Sequence, residues 1–368
     1  MNILWFTWKD GRHPEAGGAE TVNEELAKRL ARDGHRVLFI VGGFPGGGAH
    51  EKRDGFEIVR LGNRYTVYWK AFLYYRKHLS NESFDIVIDE VNTAPFFTSI
   101  YTKAKRHLLF VHQLCREIWF HQILFPVNVI GFLVEPIYLW FLRKNGVITV
   151  SESTKRDLIR YGFQDERIAI IPEGLDIEPV ASLDAVEKYE APTLLSLGAI
   201  RSMKRTLDQL RAFEIAKKSI PNLRFLVAGN ADGRYGKKFL EAIEKSSYKD
   251  DIELLGRVST EKKTEIMRKS HLISVTSVKE GWGLIVSEAA SQGTPAVVYT
   301  VDGLRDSVRD GETGRIIAEN TPDALAEGIV NLLENPSEYE RLRRNALDWS
   351  RELTFDRSYE SFLEILKR

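Results

Sequence analysis

Residues 2–8 (NILWFTW) are a short apolar run, residues 17–35 (GGAETVNEELAKRLARDGH) open on two adjacent glycines, and residues 36–43 (RVLFIVGG) are apolar again. Ile3, Trp5 and their neighbours form the β-prone run that a buried parallel strand requires. Ala19, Val22, Leu26 and Leu30 then recur at three- and four-residue spacing, which places one apolar stripe on a helix. Gly34 after Asp33 suits a helix stop. Strand, glycine loop, helix and strand in that order open a doubly wound α/β sheet. In such a sheet the first loop lies at the carboxyl edge, where a helix N-terminus offers free N–H groups to anions. A glycine pair that only makes a tight turn fits the same residues equally well. The spacing is not GxGxxG, so the dinucleotide fingerprint is absent.

The rhythm continues through two halves. Residues 56–61, 84–91, 107–112 and 145–151 read as strands, with helical candidates at 66–79, 95–104 and 152–161 and a short strand at 167–174. Residues 177–192 (IEPVASLDAVEKYEAP) lack strong periodicity, carry prolines at both ends and read as a linker. The second half restarts with strand-like runs at 193–200, 222–230, 252–258, 271–277 and 295–300, and Thr321-Pro322-Asp323 is a good cap and first turn for a helix over 322–333. The expected organisation is an N-terminal domain over 1–176, the linker, a C-terminal domain over 193–350, and a helix in 351–368 packing back on the N-terminal domain. Two doubly wound, Rossmann-like halves facing one another would place their carboxyl strand edges along one cleft. A chain of 368 residues also exceeds what a single core usually supports.

Charge and cysteine content narrow the function. Lys+Arg and Asp+Glu are equal at 52 each, which argues against non-specific nucleic-acid binding as the main activity. Cys115 is the only cysteine, so no intramolecular disulfide can form and a reducing, cytoplasmic setting is expected. Residues 1–8 are too short for a signal peptide. Residues 118–134 (IWFHQILFPVNVIGFLV) carry no charge apart from any on His121, and IYLWFLRK follows Glu135-Pro136. Gln122, Pro126, Asn128, Gly131 and Glu135 interrupt the run, whereas a spanning helix needs about 20 clean apolar residues. A buried or lid-like helical pair fits best, an interfacial membrane patch or lipid-acceptor groove next, and a true span least.

The stretch richest in chemistry is KEGWGLIVSEAASQGTPAVV at 279–298. Glu280 ends a loop after a strand, Gly281 and Gly283 open the chain, and a helix begins near Leu284. Helix-terminal N–H groups there suit a phosphate or sugar hydroxyls. Glu288 lies about one turn into that helix, so one carboxylate sits at the loop tip and the other deeper, positioned for a ribose diol. On pattern alone, a solvent-exposed Glu280 and a capping Glu288 fit about as well. Asp10, Arg12 and His13 lie in the loop before the glycines, where the acceptor would approach. No D-x-D, H-x-x-x-H, Walker motif, Ser-His-Asp order or CxxC is present, and no metal or cofactor is expected.

EGWGLIVSE resembles the E-x7-E signature of the retaining, GT-B-fold glycosyltransferases called group 1 or family four. Other stretches of the chain resemble that family in order and spacing. GGAE at 17–20 is similar to its first glycine loop, FVH at 110–112 to its cleft histidine, and ITVSESTKRDL at 148–158 to its domain-end strand and helix. IPEGLD at 171–176 is similar to its hinge strand, GRVSTEKK at 256–263 to its base-binding turn, and VDGLRDSVRDGETG at 301–314 to the loop after the signature. SLGAIRSMKRTLDQL at 196–210 resembles the G-R-L-x-x-x-K-G stretch, with Ala199 where the family usually has arginine and Arg205 where it often has glycine.

The resemblance implies that Glu280, His112 and Lys204 act at the reacting centre, Lys204 neutralising the leaving diphosphate. It places Gly17, Gly18, Gly283, Leu284, Ile285, Arg257 and Val258 against the donor, Glu288 on the ribose, and Arg201 or Arg205 in place of the missing cation. The resemblance makes 1–176 the acceptor-side domain and 193–350 the nucleotide-sugar-binding domain, with a nucleotide sugar donor and an acceptor hydroxyl as partners. The large apolar side chains at 118–142, flanked by Arg116, Arg143 and Lys144, favour a lipid-linked acceptor, with a glycan as the other choice, and peripheral contact at the inner face of the membrane. An epimerase or phosphorylase of similar shape, and a non-catalytic sugar-nucleotide-binding scaffold disabled at Ala199, are the alternative expectations.

Overall fold

A computed structural model describes residues 1–368, with the side chain of Gln122 outside the description. The chain forms two compact units: Met1–Arg116, Val129–Gly174 and Thr354–Arg368 make the first, Glu117–Asn128 and Leu175–Leu353 the second.

The first unit contains β1 (Asn2–Phe6), α1 (Gly18–Arg32), β2 (Arg36–Gly42), β3 (His50–Arg53), β4 (Phe56–Leu61), α2 (Val67–Tyr74), β5 (Phe84–Glu90), α3 (Thr98–Tyr101) and β6 (Ala104–Val111). After α4 (Ile118–Gln122), which belongs to the second unit, come α5 (Val127–Leu142), β7 (Gly146–Thr149), α6 (Glu152–Arg160) and β8 (Ile168–Ile170). The eight strands run β3-β4-β2-β1-β5-β6-β7-β8, all neighbours parallel except the β3–β4 pair. Ile3, Leu4, Trp5 and Phe6 are fully buried, as expected of a strand covered on both faces.

Register shows which helices share a face. Leu4 pairs with Val87, Asp89 with Leu109, and Leu109 with Val147, and paired residues in a parallel sheet point to one side. Val67, Ala71 and Tyr75 pack in one cluster with Leu4 and Val87, and Tyr138, Leu139 and Leu142 in another with Leu109 and Val147. Helices α2 and α5 therefore cover the same face.

The second unit has β9 (Thr193–Leu197), α7 (Thr206–Ala216), β10 (Arg224–Ala228), α8 (Gly233–Lys245), β11 (Ile252–Gly256), α9 (Thr260–Lys269), β12 (Leu272–Val275), α10 (Leu284–Ser291), β13 (Ala296–Tyr299), α11 (Leu304–Ser307), β14 (Gly314–Ile317), α12 (Pro322–Leu333) and α13 (Pro336–Ser350). Its parallel sheet is ordered β11-β10-β9-β12-β13-β14. The last helix, α14 (Phe355–Lys367), belongs to the first unit, where Phe362 stacks on Trp5 and Arg29 of α1 pairs with Asp356.

Several elements differ from the sequence reading. Strands β3 and β14 were not anticipated: β3 (HEKR) is a polar antiparallel edge strand without an apolar run, and β14 is only four residues long. The helix expected over 95–104 is reduced to α3. Residues 177–192, read as a linker, fold onto the second unit instead. Val180 N donates to Ser291 O, Tyr189 N to Lys269 O, and Lys188 Nζ to the carbonyls of Arg268, Ser270 and Gly293 and to Thr294 Oγ1. Anchoring through single polar contacts leaves no periodic signature in a sequence. No helix among the described residues is long and apolar enough to cross a membrane.

Candidate active site

In each open sheet the order reverses at one point, and the loops leaving the two strands that flank it diverge and leave a crevice at their carboxyl ends. In the second unit those strands are β9 and β12. The loop after β9 carries Lys204 and the loop after β12 carries Glu280. Lys204 Nζ donates to Glu280 Oε1 at 2.5 Å, and Ser277 Oγ donates to the same oxygen at 2.5 Å. Thr276 Oγ1 fixes the lysine loop by donating to the carbonyls of Lys204 and Arg205 at 2.8 and 3.1 Å. Arg205 is left-handed at φ 48°, the conformation glycine adopts most cheaply, and its guanidinium lies 5.9 Å from the Tyr299 ring centre. Ala199 and Arg201 are exposed in the same loop.

Glycine geometry seats the Glu280 loop. Gly283 caps α10 at φ 101°, and a Cβ there would lie 2.9 Å from Leu304 Cδ2 and Ser307 Oγ. Gly303, at φ 82°, admits the Glu280 carbonyl where a Cβ would stand 2.3 Å away, and Glu280 N donates to Asp302 O. No side chain caps α10, and although Val286 N turns back to Gly283 O at 2.8 Å, the N–H groups of Leu284 and Ile285 are left to solvent or a ligand. Glu288, one turn further on and buried, accepts from Lys263 Nζ at 2.8 Å. Burial pushes the Glu288 carboxyl up, against the pull of Lys263 and with a further rise from Asp176. Arg257 is exposed after β11, whereas Val258 is half-buried and packs on the core.

In the first unit the reversal lies between β1 and β5. Gly17 caps α1 and is exposed with Gly18, and its N–H donates to Glu20 Oε2 at 2.7 Å, while Lys9 Nζ lies 3.3 Å from the same oxygen. Behind them Asn23 Nδ2 donates to Glu90 Oε2 at 2.5 Å. His112, at the end of β6, stacks on Phe110 and has Nε2 4.0 Å from Glu90 Oε1. Burial pushes the His112 imidazole down to about 3 and the Glu90 carboxyl up to about 8, the latter with help from the nearby Glu20 charge. Both are therefore neutral near pH 7. Asp10 is not an acceptor contact but a buried anchor: it accepts from Arg60 Nε at 2.8 Å and Nη2 at 3.0 Å, with Arg53 also paired. Arg12 pairs with Glu51, and His13 lies edge-on to Trp8.

Lys204, Glu280, Gly283 and Glu288 thus gather at one switch point, and Gly17, Gly18 and His112 lie around the other. Lys263, Ser277, Asn23 and Glu90 were missed. Lys263 had a signal, because it shares a helix face with the buried Ile266 and Met267 at three- and four-residue spacing. Glu90 had none, since it ends an apolar strand as any solvated carboxylate would. Among the described residues no group of three or more His, Cys, Asp or Glu side chains could hold a metal ion.

Solved structures share this architecture. Sucrose-phosphate synthase from Thermosynechococcus elongatus superposes with a TM-score of 0.80 at 18% identity, covering 100% of this chain and 98% of that one. WaaG, a glycosyltransferase involved in lipopolysaccharide biosynthesis, gives 0.75 at 16% identity and 99% coverage of each chain. Two doubly wound parallel sheets in this arrangement of strands define a glycosyltransferase fold of the GT-B type. The family described as "Glycosyl transferases group 1" matches residues 184–349, and "Glycosyltransferase Family 4" matches residues 16–179. The chain belongs to the group 1 glycosyltransferases.

Among curated relatives, the poly(glycerol-phosphate) alpha-glucosyltransferase of Bacillus subtilis is 27% identical over 55% of this chain and 29% of its own length. A D-inositol 3-phosphate glycosyltransferase of Xylanimonas cellulosilytica is 26% identical over 60% of this chain and 56% of its own. The N-acetyl-alpha-D-glucosaminyl L-malate synthase of Bacillus anthracis is 22% identical over 94% of this chain and 91% of its own. The matches to the first two cover little more than half of those relatives' length, or less.

Proposed function

We propose that this glycosyltransferase moves a sugar from a nucleoside diphosphate sugar to an acceptor hydroxyl with retention of anomeric configuration. The observation that carries the reading is the convergence of Lys204 and Glu280 beside the uncapped N-terminus of α10. A cation and helix N–H groups stabilise a departing diphosphate, and Lys204 turning to phosphate frees Glu280, still held by Ser277, to accept from a hydroxyl of the donor sugar. The N–H groups of Gly283, Leu284 and Ile285 hold the diphosphate, Glu288 takes the ribose hydroxyls, and Arg257 and Val258 face the base. His112, neutral, donates or accepts at a sugar hydroxyl, and Gly17 and Gly18 allow close approach of the donor. The anomeric carbon–phosphate oxygen bond breaks as the acceptor oxygen bonds on the same face, and the acceptor proton passes to the leaving diphosphate. No metal is required, because Lys204 and α10 supply the positive charge. Solved structures of the Anabaena protein HepE contain UDP and glucose or UDP-glucose. The same ligand class suits the site here. A lipid-linked or glycan acceptor, met at the inner face of the membrane, fits the apolar segment at 118–142.

The test is a panel of nucleotide sugars screened by thermal shift, then product analysis with the best binder in the presence of chelator. Release of nucleoside diphosphate with a new glycoside of unchanged anomeric configuration is expected. An inverted product, an epimerised donor, or activity lost to chelator and restored by magnesium would each overturn the corresponding part of the proposal.

A further inference from the structure

The outward stripe of α5 is apolar throughout. Ile130, Leu133, Val134, Ile137, Trp140 and Phe141, spaced at three and four residues, are all exposed. The inward residues include the helix's only charge, Glu135, whose carboxylate accepts from the backbone N–H groups of Cys115 and Arg116. This inverts the usual polarity of a surface helix and so implies a partner for the outer stripe. The stripe also continues beyond α5. Phe141 meets Phe97 at the start of α3, Tyr101 of α3 meets Phe72 of α2, and α2 exposes Trp69 and Leu73 outward, with Ile100 exposed between them. Helices α2 and α5 lie on one face of the sheet by register, so these residues form one surface of the first unit.

The charge of this surface has a single sign although the chain is neutral. Residues 58–81 contain no Asp or Glu, and residues 91–151 contain only Glu117 and the buried Glu135. Arg64, Lys70, Arg76, Lys77, Lys103 and Lys144 are exposed along the same elements. Arg143 lies over the Trp140 ring with its guanidinium 4.0 Å from the ring centre, the pairing of an aromatic with a cation that suits a headgroup boundary.

We propose that the surface formed by α2, α3 and α5 docks on an anionic lipid bilayer. The apolar stripe enters the acyl boundary and the basic side chains meet the headgroups. A second copy of this chain would bring like charges together, which disfavours self-association through the same patch. The proposal deepens the membrane-side reading of the acceptor by naming the surface and its partner, and docking holds whichever sugar and acceptor are used.

The test measures co-sedimentation of the whole protein with phosphatidylglycerol vesicles and with phosphatidylcholine vesicles, with no donor or acceptor present. Binding to phosphatidylglycerol should be tighter by about tenfold or more and weaken with salt. The pairs Leu133→Ser with Ile137→Ser on α5, and Trp69→Ser with Leu73→Ser on α2, should each weaken it by about tenfold or more. Both variants should keep wild-type circular dichroism, and the α2 pair, which lies outside the 118–142 segment, should keep wild-type transfer to a water-soluble acceptor, which separates failure of docking from failure of the transferase reading. Equal or absent binding to the two vesicle types overturns the proposal. So does a requirement for the α5 pair alone, or a dimer in analytical ultracentrifugation that the same substitutions dissolve.

Discussion

Lys204 and Glu280 share a hydrogen bond of 2.5 Å although 76 residues separate them, because the strands that precede them flank the point where the second sheet reverses order. Ser277 donates to the same Glu280 oxygen, so the carboxylate is held whether or not the lysine turns away.

From that pairing, Glu280→Gln and Lys204→Ala are each expected to lower turnover by about a hundredfold or more, the size of a lost electrostatic contact to the transition state. The double variant should lose much less than the product of the two, since the residues act as a unit. Steady-state kinetics on purified variants with unchanged circular dichroism provides the check, and wild-type rates in either single variant would refute the role.

Glu288 and Lys263 give a binding prediction. Lys263→Ala removes the cation that opposes burial of Glu288, so the carboxyl rises further and protonates at higher pH. Donor affinity in this variant should fall by about tenfold and decline with acidification sooner than in wild type, while kcat changes less. Calorimetric titration with nucleoside diphosphate across pH reads both effects. An unchanged affinity would show that Glu288 does not face the ribose.

Glu90 and Glu173 set a pH dependence. Burial raises each to about 8, far above an unfolded glutamate near 4.5, so the folded protein holds protons that the unfolded chain releases. Their contribution to stability is complete below about pH 4.5 and is lost as pH rises through about 8, at about 1.4 kcal/mol per unit of separation. Glu90→Gln keeps the neutral shape, and its melting temperature should fall less than wild type between pH 5 and pH 9. Parallel slopes for the two proteins would contradict a protonated Glu90.

Asp10 and Arg60 tie the end of β1 to the second hairpin strand. Burial raises the Asp10 carboxyl, but the Arg60 hydrogen bond, the Arg12 backbone N–H and the Arg60 and Arg53 charges outweigh it and hold the group below its usual range. Asp10→Ala leaves Arg60 buried with only Glu51 and the Gly48 carbonyl, and should cost about 3 kcal/mol or more. Denaturant unfolding measures the loss, and a change under about 0.5 kcal/mol would place the pair among weak surface bridges.

The alternation of strands and helices, the two halves, the loops at strand ends that carry Gly17, Lys204 and Glu280, and the helix that carries Glu288 are legible in the chain alone. These are local properties, set by hydrophobic period and by glycine's access to positive φ. Which loops meet is a tertiary matter. Strand order brings the loop after β9 beside the loop after β12, and the same reversal sets Glu90 behind Asn23 and near His112. Residues 177–192 carry no period, yet they fold onto the second unit through a lysine whose acceptors come from distant segments. The outer stripe of α5 makes the contrast plainest. Its apolar composition is readable in the chain, but a sequence does not distinguish an apolar residue packed inside from one left facing out. That was settled by Glu135, Tyr138, Leu139 and Leu142, which claim the one helix face the sheet can cover and leave Ile130, Leu133, Val134, Ile137, Trp140 and Phe141 at the surface.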